Sequence, residues 1–257
     1  MAIQKSSITL EGQIGDLSFY KSNGKALVRQ RTGASKERIK TAPSFARTRE
    51  NNTEFGRASS AGKRIRVAAR LALGERYTLF EDPTAVNRLT TRMTAVVRSD
   101  TTHGRGERTV LPENLPLLHG FSFNAVAALK DVLFIPPRCA YQRETGLLEV
   151  MLPALSPDNV MAAPKGVERC SFHVGAILFN TGVEPLPVVA QHQELLPMNR
   201  RTIPAQSFRL ELPEASTDPV IICFGISFYG NLGGYPVPIQ DQGRNVFEVI
   251  GVDVTVG

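Results

Sequence analysis

The spacing of hydrophobic and polar positions changes along the chain and marks a passage from strands to helices and back to strands. Near the N-terminus, residues 16–21 and 26–31 are β-patterned and flank an Asn-Gly pair at 23–24. Asn-Gly between two such runs is typical of a β-hairpin, because the tight turn needs positive φ at both central residues. The sequence therefore predicts strands near 16–21 and 26–31, followed by an exposed connector over 32–44.

A first helix is predicted from about Ser44, where small and apolar residues recur at steps of three and four. The positions on this face are Phe45, Phe55, Ala58, Gly62, Ile65, Ala69 and Ala72. Residues 56–62 are mostly small, which weakens a helix intrinsically. The same small side chains would let another backbone approach this part of the helix closely.

A second helix is predicted with Asp82 as its N-cap and Pro83 at its first helical position. Its narrow apolar stripe consists of Val86, Leu89, Met93, Val96 and Val97. The two helices are predicted to form a hairpin around Gly74.

From about residue 118 the pattern becomes that of strands separated by Pro and Gly. Turn signals recur every ten to fifteen residues or so, which suits an antiparallel sandwich or a jelly-roll-like domain. The candidate strands are 121–127, 132–135, 140–143, 147–152, 170–180, 186–191, 207–212, 220–229 and 247–256. Residues 171–179 are apolar at nearly every position, so this run is predicted to lie in the middle of the sheet.

These patterns predict an α+β fold in three segments. Residues 1–43 would be an extended arm with a β-hairpin, and residues 44–111 a basic helical hairpin with a linker. Residues 112–257 would be an antiparallel, jelly-roll-like β-sandwich. With 42% hydrophobic and 21% charged residues, the composition is that of an ordinary globular protein and provides a substantial core.

Charge is distributed unevenly along the chain. Residues 1–110 contain 21 Lys and Arg against 10 Asp and Glu, a net charge of +11, whereas residues 111–257 contain 9 against 14, a net charge of −5. Opposite signs in two parts of one chain favour head-to-tail attraction between copies. The basic part would also suit phosphates. A third interpretation is that these charges are solvated and have no partner.

The residues that commonly carry chemistry are dispersed. His103, His119, His173 and His192 form no pair at i,i+2 or i,i+4, and neither G-x-S-x-G nor H-E-x-x-H occurs. We therefore expect a protein that is not an enzyme and that holds no cofactor and no metal. His173, in an apolar strand, is interpreted as a core histidine, and the segment 102–106 as a flexible linker in preference to a phosphate-binding loop.

The cysteines and the lack of export signals point to one compartment. Cys139, Cys170 and Cys223 are widely spaced and lie in apolar or β-patterned runs. Buried free thiols in a reducing environment explain them better than a disulfide or a metal site. The start of the sequence does not resemble a secretory signal, and no apolar run has the length of a membrane helix. The expected location is cytoplasmic, with no membrane partner.

Four motifs in the first part of the chain resemble a family of Bacteroidota proteins of similar length. They are GDLSFYK at 15–21, RIKT at 38–41, FARTREN at 45–51 and EFGRA at 54–58. The resemblance is specific over about residues 10–70 and becomes diffuse later, where only 120–123 and 225–229 match. The family has no established activity and supplies no catalytic residue. The chain also distantly resembles bacterial cytoplasmic fibril proteins, a resemblance that fits assembly without being independent support for it.

The leading hypothesis from the sequence is a structural protein that polymerises with itself into a filament, tube or ring. The arm and the cationic helices of one copy would dock on the acidic sandwich of the next. The expected interface salt bridges involve Arg47, Arg49, Glu50 and Arg57. The expected apolar anchors are Phe19, Tyr20 and Phe45.

The alternative hypothesis is nonspecific binding of nucleic acid through the basic stretch 36–70, which contains ten cations. A single-strand binding surface needs aromatic residues between the cations for base stacking. Only Phe45 and Phe55 are so placed, and both are assigned to the buried face of the first helix.

Overall fold

The computed structural model describes residues 2–4, 9–30, 33–180, 182, 184–198 and 202–254. The fold mixes helices with antiparallel sheets, which confirms the predicted mixture of helices and antiparallel strands. The chain divides into two compact units, Met1–Arg49 and Glu50–Gly257. The three-segment division at 43/44 and 111/112 stays a prediction.

The N-terminal unit contains a sheet of four short antiparallel strands in the order β1-β4-β3-β2. Their bounds are β1 Ala2–Ile3, β2 Gly12–Ile14, β3 Leu17–Ser22 and β4 Lys25–Gln30. Where the hairpin was predicted, β3 pairs with β4 across Asn23 and Gly24. These two turn residues have φ values of 50° and 74°, which is the backbone conformation that Asn-Gly favours. Arg31, at the end of the predicted second strand, lies outside the described residues.

The connector over 32–44 was predicted without a helix, and this prediction is wrong. A short helix, α1 (Lys36–Thr41), begins after Ser35, whose hydroxyl accepts a hydrogen bond from the Arg38 N–H at 3.2 Å. A 3-10 turn over Pro43–Phe45 then leads into the long helix α2 (Ala46–Leu73). Six residues are too few to show a helical period in the sequence, and the capping serine was the signal that could have revealed α1.

Both long helices are confirmed, but each buries a slightly different face from the one predicted. Along α2 the buried residues run from Glu54 through Ala58 and Ile65 to Leu73, whereas Phe55 is 56% exposed. In α3 (Ala85–Arg98), Thr90 is buried and Val86 is 43% exposed. The predicted burial of Phe55 and Val86 is therefore wrong. Each lies at the margin of its stripe, and the position of the neighbouring elements decides which margin is covered.

The small residues of α2 do allow the expected close approach. A Cβ placed on Gly62 would lie 3.5 Å from Leu89 Cγ, 3.7 Å from Met93 Cγ and 3.8 Å from the Thr90 backbone nitrogen, so α3 passes directly over this glycine. The chain turns between the helices at Gly74, which has a φ of 57° and opens the 3-10 segment Gly74–Leu79.

The remaining residues of the second unit form two antiparallel sheets. The smaller sheet has the order β10-β6-β5, and in the larger one β11 and β7 are central, with β12 and β13 on one side and β8 and β9 on the other. Short helices α4 (Leu129–Val132) and α5 (Pro157–Val160) lie in the connections. The strand bounds are β5 Arg138–Gln142, β6 Leu147–Leu152, β7 Arg169–Leu178, β8 Val188–His192, β9 Leu196–Pro197, β10 Gln206–Glu211, β11 Val220–Leu232, β12 Tyr235–Pro238 and β13 Val246–Asp253.

Within the second unit, two of the predicted strands are wrong and two short strands were missed. Residues 121–127 contain no regular strand, although 121–123 meet β13 through backbone hydrogen bonds, an isolated bridge and the contact of the Phe123 and Phe247 rings. Residues 132–135 hold the end of α4 and an isolated bridge at Leu133. The missed strands are β9 and β12. Residues 255 and 256, at the end of the last predicted strand, lie outside the described residues.

The core of the second unit is arranged around the pairing of β7 with β11, which extends from Arg169↔Tyr229 to Leu178↔Val220. The predicted central position of 171–179 is confirmed. One buried cluster joins one face of these strands to α2 and α3, and includes Ile65, Met93 and Phe247. The other joins the opposite face to the smaller sheet, and includes Phe172, Phe208 and Phe224. Apolar packing on both faces therefore accounts for the continuous apolar runs of these strands.

Cysteine placement agrees with the expectation at two positions of three. Cys170 and Cys223 are buried free thiols, and burial raises the pKa of Cys170 to about 12. Cys139 is free but exposed, so its predicted burial is wrong. It lies on β5, which is the outermost strand of the smaller sheet.

Gly146, in the turn between β5 and β6, should tolerate no side chain. It has a φ of 68°, and a Cβ there would lie 2.1 Å from the Leu212 carbonyl oxygen. We expect Gly146→Ala to lower the free energy of unfolding by roughly 3 kcal/mol or more in urea titrations. Gly120→Ala is the matched control, because Gly120 has a φ of 75° with nothing within 4 Å of its Cβ position. It should cost about 1 kcal/mol from backbone strain alone, and equal losses in both variants would contradict the steric argument.

Candidate functional site

The predicted apolar anchors Phe19 and Tyr20 lie side by side on β3 and therefore point to opposite faces of the N-terminal sheet. Phe19 pairs with Val28 on one face, and Tyr20 pairs with Leu27 on the other. All four are only partly buried. Among the described residues of 2–49 none is buried, and several large apolar side chains are well exposed: Ile3 at 57%, Ile14 at 59% and Leu17 at 42%. The sheet thus presents apolar side chains without a core.

The other predicted site residues of this unit lie near the start of α2. Phe45 is half-buried in the 3-10 turn, and Arg47 is exposed. Arg49 donates from Nη1 to the carbonyl oxygens of Ile39 and Ala42, each at 2.9 Å. Arg49 therefore holds the end of α1 to the start of α2, and its role in an interface stays a prediction.

Glu50 and Arg57 lie on a polar stripe of α2 that binds the segment after α3. Arg57 Nη1 donates to the carbonyl oxygens of Gly106 at 3.0 Å and Arg108 at 2.6 Å. From the same stripe, Glu54 accepts the Gly106 N–H at 2.7 Å, and Glu50 lies 3.4 Å from Arg105 Nε. Side chains from three successive turns of α2 thus bind residues 105–108. Glu50 and Arg57 were predicted as interface residues, and their contacts within the chain are structural.

The same segment is also ordered from within, by the buried carboxylate of Asp100. Its oxygens accept hydrogen bonds from the N–H groups of Thr102, His103 and Thr109 at 2.9, 3.0 and 2.9 Å. Burial would raise the pKa of Asp100, but these bonds, with those from the Thr102 hydroxyl and the His103 ring, hold it well below its usual range. The interpretation of 102–106 as a flexible linker is therefore wrong.

A row of hydrogen-bonded polar side chains, centred on His173, lies buried in the larger sheet. This residue is fully buried, with Nδ1 at 3.1 Å from His192 Nδ1 and Nε2 at 2.7 Å from Ser227 Oγ. The interpretation of His173 as a satisfied core histidine is confirmed. Ser227 is fully buried as well, so this serine and histidine offer no nucleophile to a substrate in solution.

The tautomers of the two histidines follow from their partners. The His192 ring also donates to the backbone carbonyl of Ala72, and since Nδ1 faces His173, the donor is Nε2. A neutral His192 then accepts at Nδ1 from His173, whose Nε2 accepts from the Ser227 hydroxyl. Burial lowers the pKa of both rings, and the charge of Arg76 lowers both further, so both are neutral at pH 7.

The smaller sheet leaves one strand edge open. Within the described residues β5 pairs with β6 on one side, and no backbone hydrogen bond is formed on the other. On the opposite edge of this sheet β10 lies close to β8, where the Arg209 N–H donates to Gln191 Oε1 at 3.0 Å. The two sheets therefore approach each other at β8 and β10 and stay separate at β5.

Two cavities lie at the two ends of β5, and β13 contributes residues to the wall of each. One is a cavity of about 360 Å³ whose wall is largely apolar, with Leu133, Phe134, Pro137 and Ile250. The other is a cavity of about 550 Å³ between Tyr141 and Val254. The Tyr141 hydroxyl is buried there with no hydrogen-bond partner among the described residues. We call the two cavities together the β5–β13 groove.

Acidic side chains cluster at the second end of the groove. Glu144 lies in the β5–β6 turn, Glu211 pairs with Leu147 across the sheet, and Glu214 follows in the segment that packs on Gly146. All three are exposed, and none forms an ion pair with a described residue. The sequence predicted β5 and the acidic character of this part of the chain, but not their meeting at an open edge.

The basic stretch 36–70 is less available than its composition suggests. Arg64 donates to the Asn180 carbonyl oxygen and lies 5.9 Å from the centre of the Phe179 ring. Arg70 lies over the Tyr77 ring at 4.9 Å, and 3.9 Å from Glu81. With Arg49 and Arg57, four of its ten cations are engaged within the chain.

Searches for a metal site, a membrane-spanning helix and related proteins do not point to a function. In the part that the structure describes, no group of three or more His, Cys, Asp or Glu side chains is placed to hold a metal ion. None of the described helices combines the length and apolar character needed to cross a membrane. No protein-family model matches the sequence, and no curated protein matches it either.

The histidine pair makes stability depend on pH. Folding lowers the pKa of both rings, so the unfolded chain binds more protons below about 6.5 and stability is lost as the pH falls through that value. We expect the free energy of unfolding, from urea titrations between about pH 8 and 5, to fall less steeply in His192→Gln than in wild type. His119→Gln, at an exposed position, should keep the wild-type slope, and identical slopes in all three proteins would contradict the assignment.

Proposed function

We propose that the protein is a structural, non-enzymatic subunit that assembles with copies of itself through its N-terminal sheet. One observation carries the proposal: the four-stranded sheet has apolar side chains on both faces, yet none of its described residues is buried. A sheet of such short strands needs an apolar face covered to be stable. Uncovered patches of this kind mark interaction surfaces.

Charge supports a second copy as the covering partner. Residues 1–49 contain 10 Lys and Arg against 3 Asp and Glu, whereas residues 111–257 carry the net charge of −5. A basic unit on one copy and an acidic region on the next give a heterologous contact, which repeats into a ring, tube or filament. Exposed ion pairs contribute less than about 1 kcal/mol each, so apolar burial by the sheet must supply most of the affinity.

The assembly proposal also assigns a role to each part of the chain. The N-terminal unit acts as the assembly arm, with Phe19, Tyr20 and Phe45 as anchors, and the strand layers of 112–257 form a jelly-roll-like sandwich that receives it. Arg47 is the most accessible of the residues proposed for interface salt bridges, because Arg49, Glu50 and Arg57 already have partners within the chain. The same engagement of α2 arginines disfavours a role in nucleic-acid binding. We place the assembly in the cytoplasm.

Removing the arm should abolish assembly. We expect the full-length protein to form ordered particles in negative-stain micrographs at low ionic strength and a variant lacking residues 1–31 to remain monomeric by light scattering. The buried clusters lie within residues 58–249, so the truncated protein should keep its cooperative unfolding. Ordered particles from the truncated protein, or a dispersed full-length monomer at high concentration, would remove the proposal.

A charge reversal tests the electrostatic part. Arg47→Glu should raise the protein concentration needed for assembly several-fold, since each exposed pair is worth less than about 1 kcal/mol. Lys63→Glu is the matched control, as it makes the same change at another exposed position of α2. Equal effects would point to general charge, and co-purification with material absorbing at 260 nm, released by salt, would instead favour nucleic-acid binding.

A further inference from the structure

We propose that the free edge of β5, with the β5–β13 groove beside it, is the acceptor for the N-terminal sheet of a second copy. The inference rests on the assembly proposed above and assigns the surface that receives the arm. The occupant is an edge strand of that sheet, added to the smaller sheet by backbone hydrogen bonding.

An unpaired strand edge is the first requirement. Arg138, Cys139, Ala140 and Gln142 are exposed, and within the described residues their strand forms a ladder with β6 alone. Another exposed edge in the second unit is β12, where two of four residues, Pro236 and Pro238, have no N–H to donate. Prolines at an edge block strand addition. No proline occurs within β5, so it is the better template.

The groove adds apolar contact at one end. Phe134 is 57% exposed beside Leu133, Pro137 and Ile250. Covering these side chains together with the apolar face of the incoming sheet removes nonpolar surface from water on both partners. The Tyr141 hydroxyl, on β5 itself, is buried with no hydrogen-bond partner in the described part of the chain, and an added strand would supply a backbone acceptor for it.

The other end supplies charge complementarity. Glu144, Glu211 and Glu214 surround the turn that follows β5, and the N-terminal unit carries a net charge of +7 from its 10 basic and 3 acidic residues. Next to the edge strand β2, one face of β3 carries the apolar Leu17 and Phe19 followed by Lys21, so the incoming sheet brings apolar side chains and a positive charge. A second copy of the chain fits both ends.

Proline substitutions at consecutive positions of β5 test the edge and contain their own control. Successive N–H groups of an edge strand point alternately to the neighbouring strand and away from it. Of Cys139→Pro and Ala140→Pro, one should lose a bond to β6 and melt at a lower temperature, while the other should melt like wild type. We expect the thermally unchanged variant to form no particles.

Mixing variants separates this inference from the proposed function. The stable proline variant keeps its arm, and the protein lacking residues 1–31 keeps its β5 edge, so each alone should be monomeric and an equimolar mixture should give a 1:1 complex by light scattering. If the stable proline variant assembles like wild type while the truncated protein does not, the β5 edge is not the acceptor, but assembly through the N-terminal sheet remains supported. If the truncated protein assembles and the proline variant does not, β5 pairs with β5 of another copy, which also overturns the inference.

Charge reversal gives a test that does not depend on tolerance of proline. Glu144→Lys combined with Glu214→Lys, both at exposed turn positions, should raise the concentration needed for assembly by roughly tenfold. Glu113→Lys combined with Asp158→Lys is the matched control at exposed positions away from the groove. An equal effect of both double variants would overturn the acidic end as part of the acceptor.

Discussion

The pairing of β7 with β11 is the constraint on which the second unit depends. These strands carry apolar side chains to both faces, so each face must be covered, and the two coverings are different. Helices α2 and α3 cover one face, and the three-stranded sheet covers the other. Because the long strands are satisfied in this way, the shorter strands at the margin, above all β5, can remain accessible without exposing the core. The architecture thus separates a rigid interior from an edge that is available for contact.

The N-terminal unit has the opposite organisation. Its strands are short, its apolar side chains point to both faces, and none of its described residues is buried. Such a sheet gains its ladder of backbone hydrogen bonds but little of the apolar burial that dominates folding. A covering surface would therefore stabilise the sheet and join two molecules at once. In the proposed assembly, the stability of the N-terminal unit would therefore depend on protein concentration, as for any element that folds fully only in an assembly.

The features that the sequence predicts well are those determined locally. Asn23 and Gly24 define a turn by themselves, and the continuous apolar run of β7 identifies a central strand. The errors arise where a distant neighbour decides. Phe55 and Val86 lie at the margins of helical stripes, residues 121–123 are held by β13, and the two prolines of β12 argue against a strand that nevertheless forms at an edge. The open edge of β5 is beyond sequence patterns, because it depends on which strands end up side by side. Likewise, charge spacing cannot tell that Glu50 and Arg57 hold residues 105–108 of their own chain.

The histidine pair in the larger sheet has a consequence for which residues this interior can accept. Each ring must accept a hydrogen bond at one nitrogen and donate another from the second, in a line from Ser227 to the Ala72 carbonyl in the last turn of α2. An aliphatic side chain cannot do this, because it has neither a donor nor an acceptor. Aliphatic neighbours such as Val174 could be exchanged for others of similar volume. The two imidazoles form a directional relay, so here the interior specifies chemical identity as well as size.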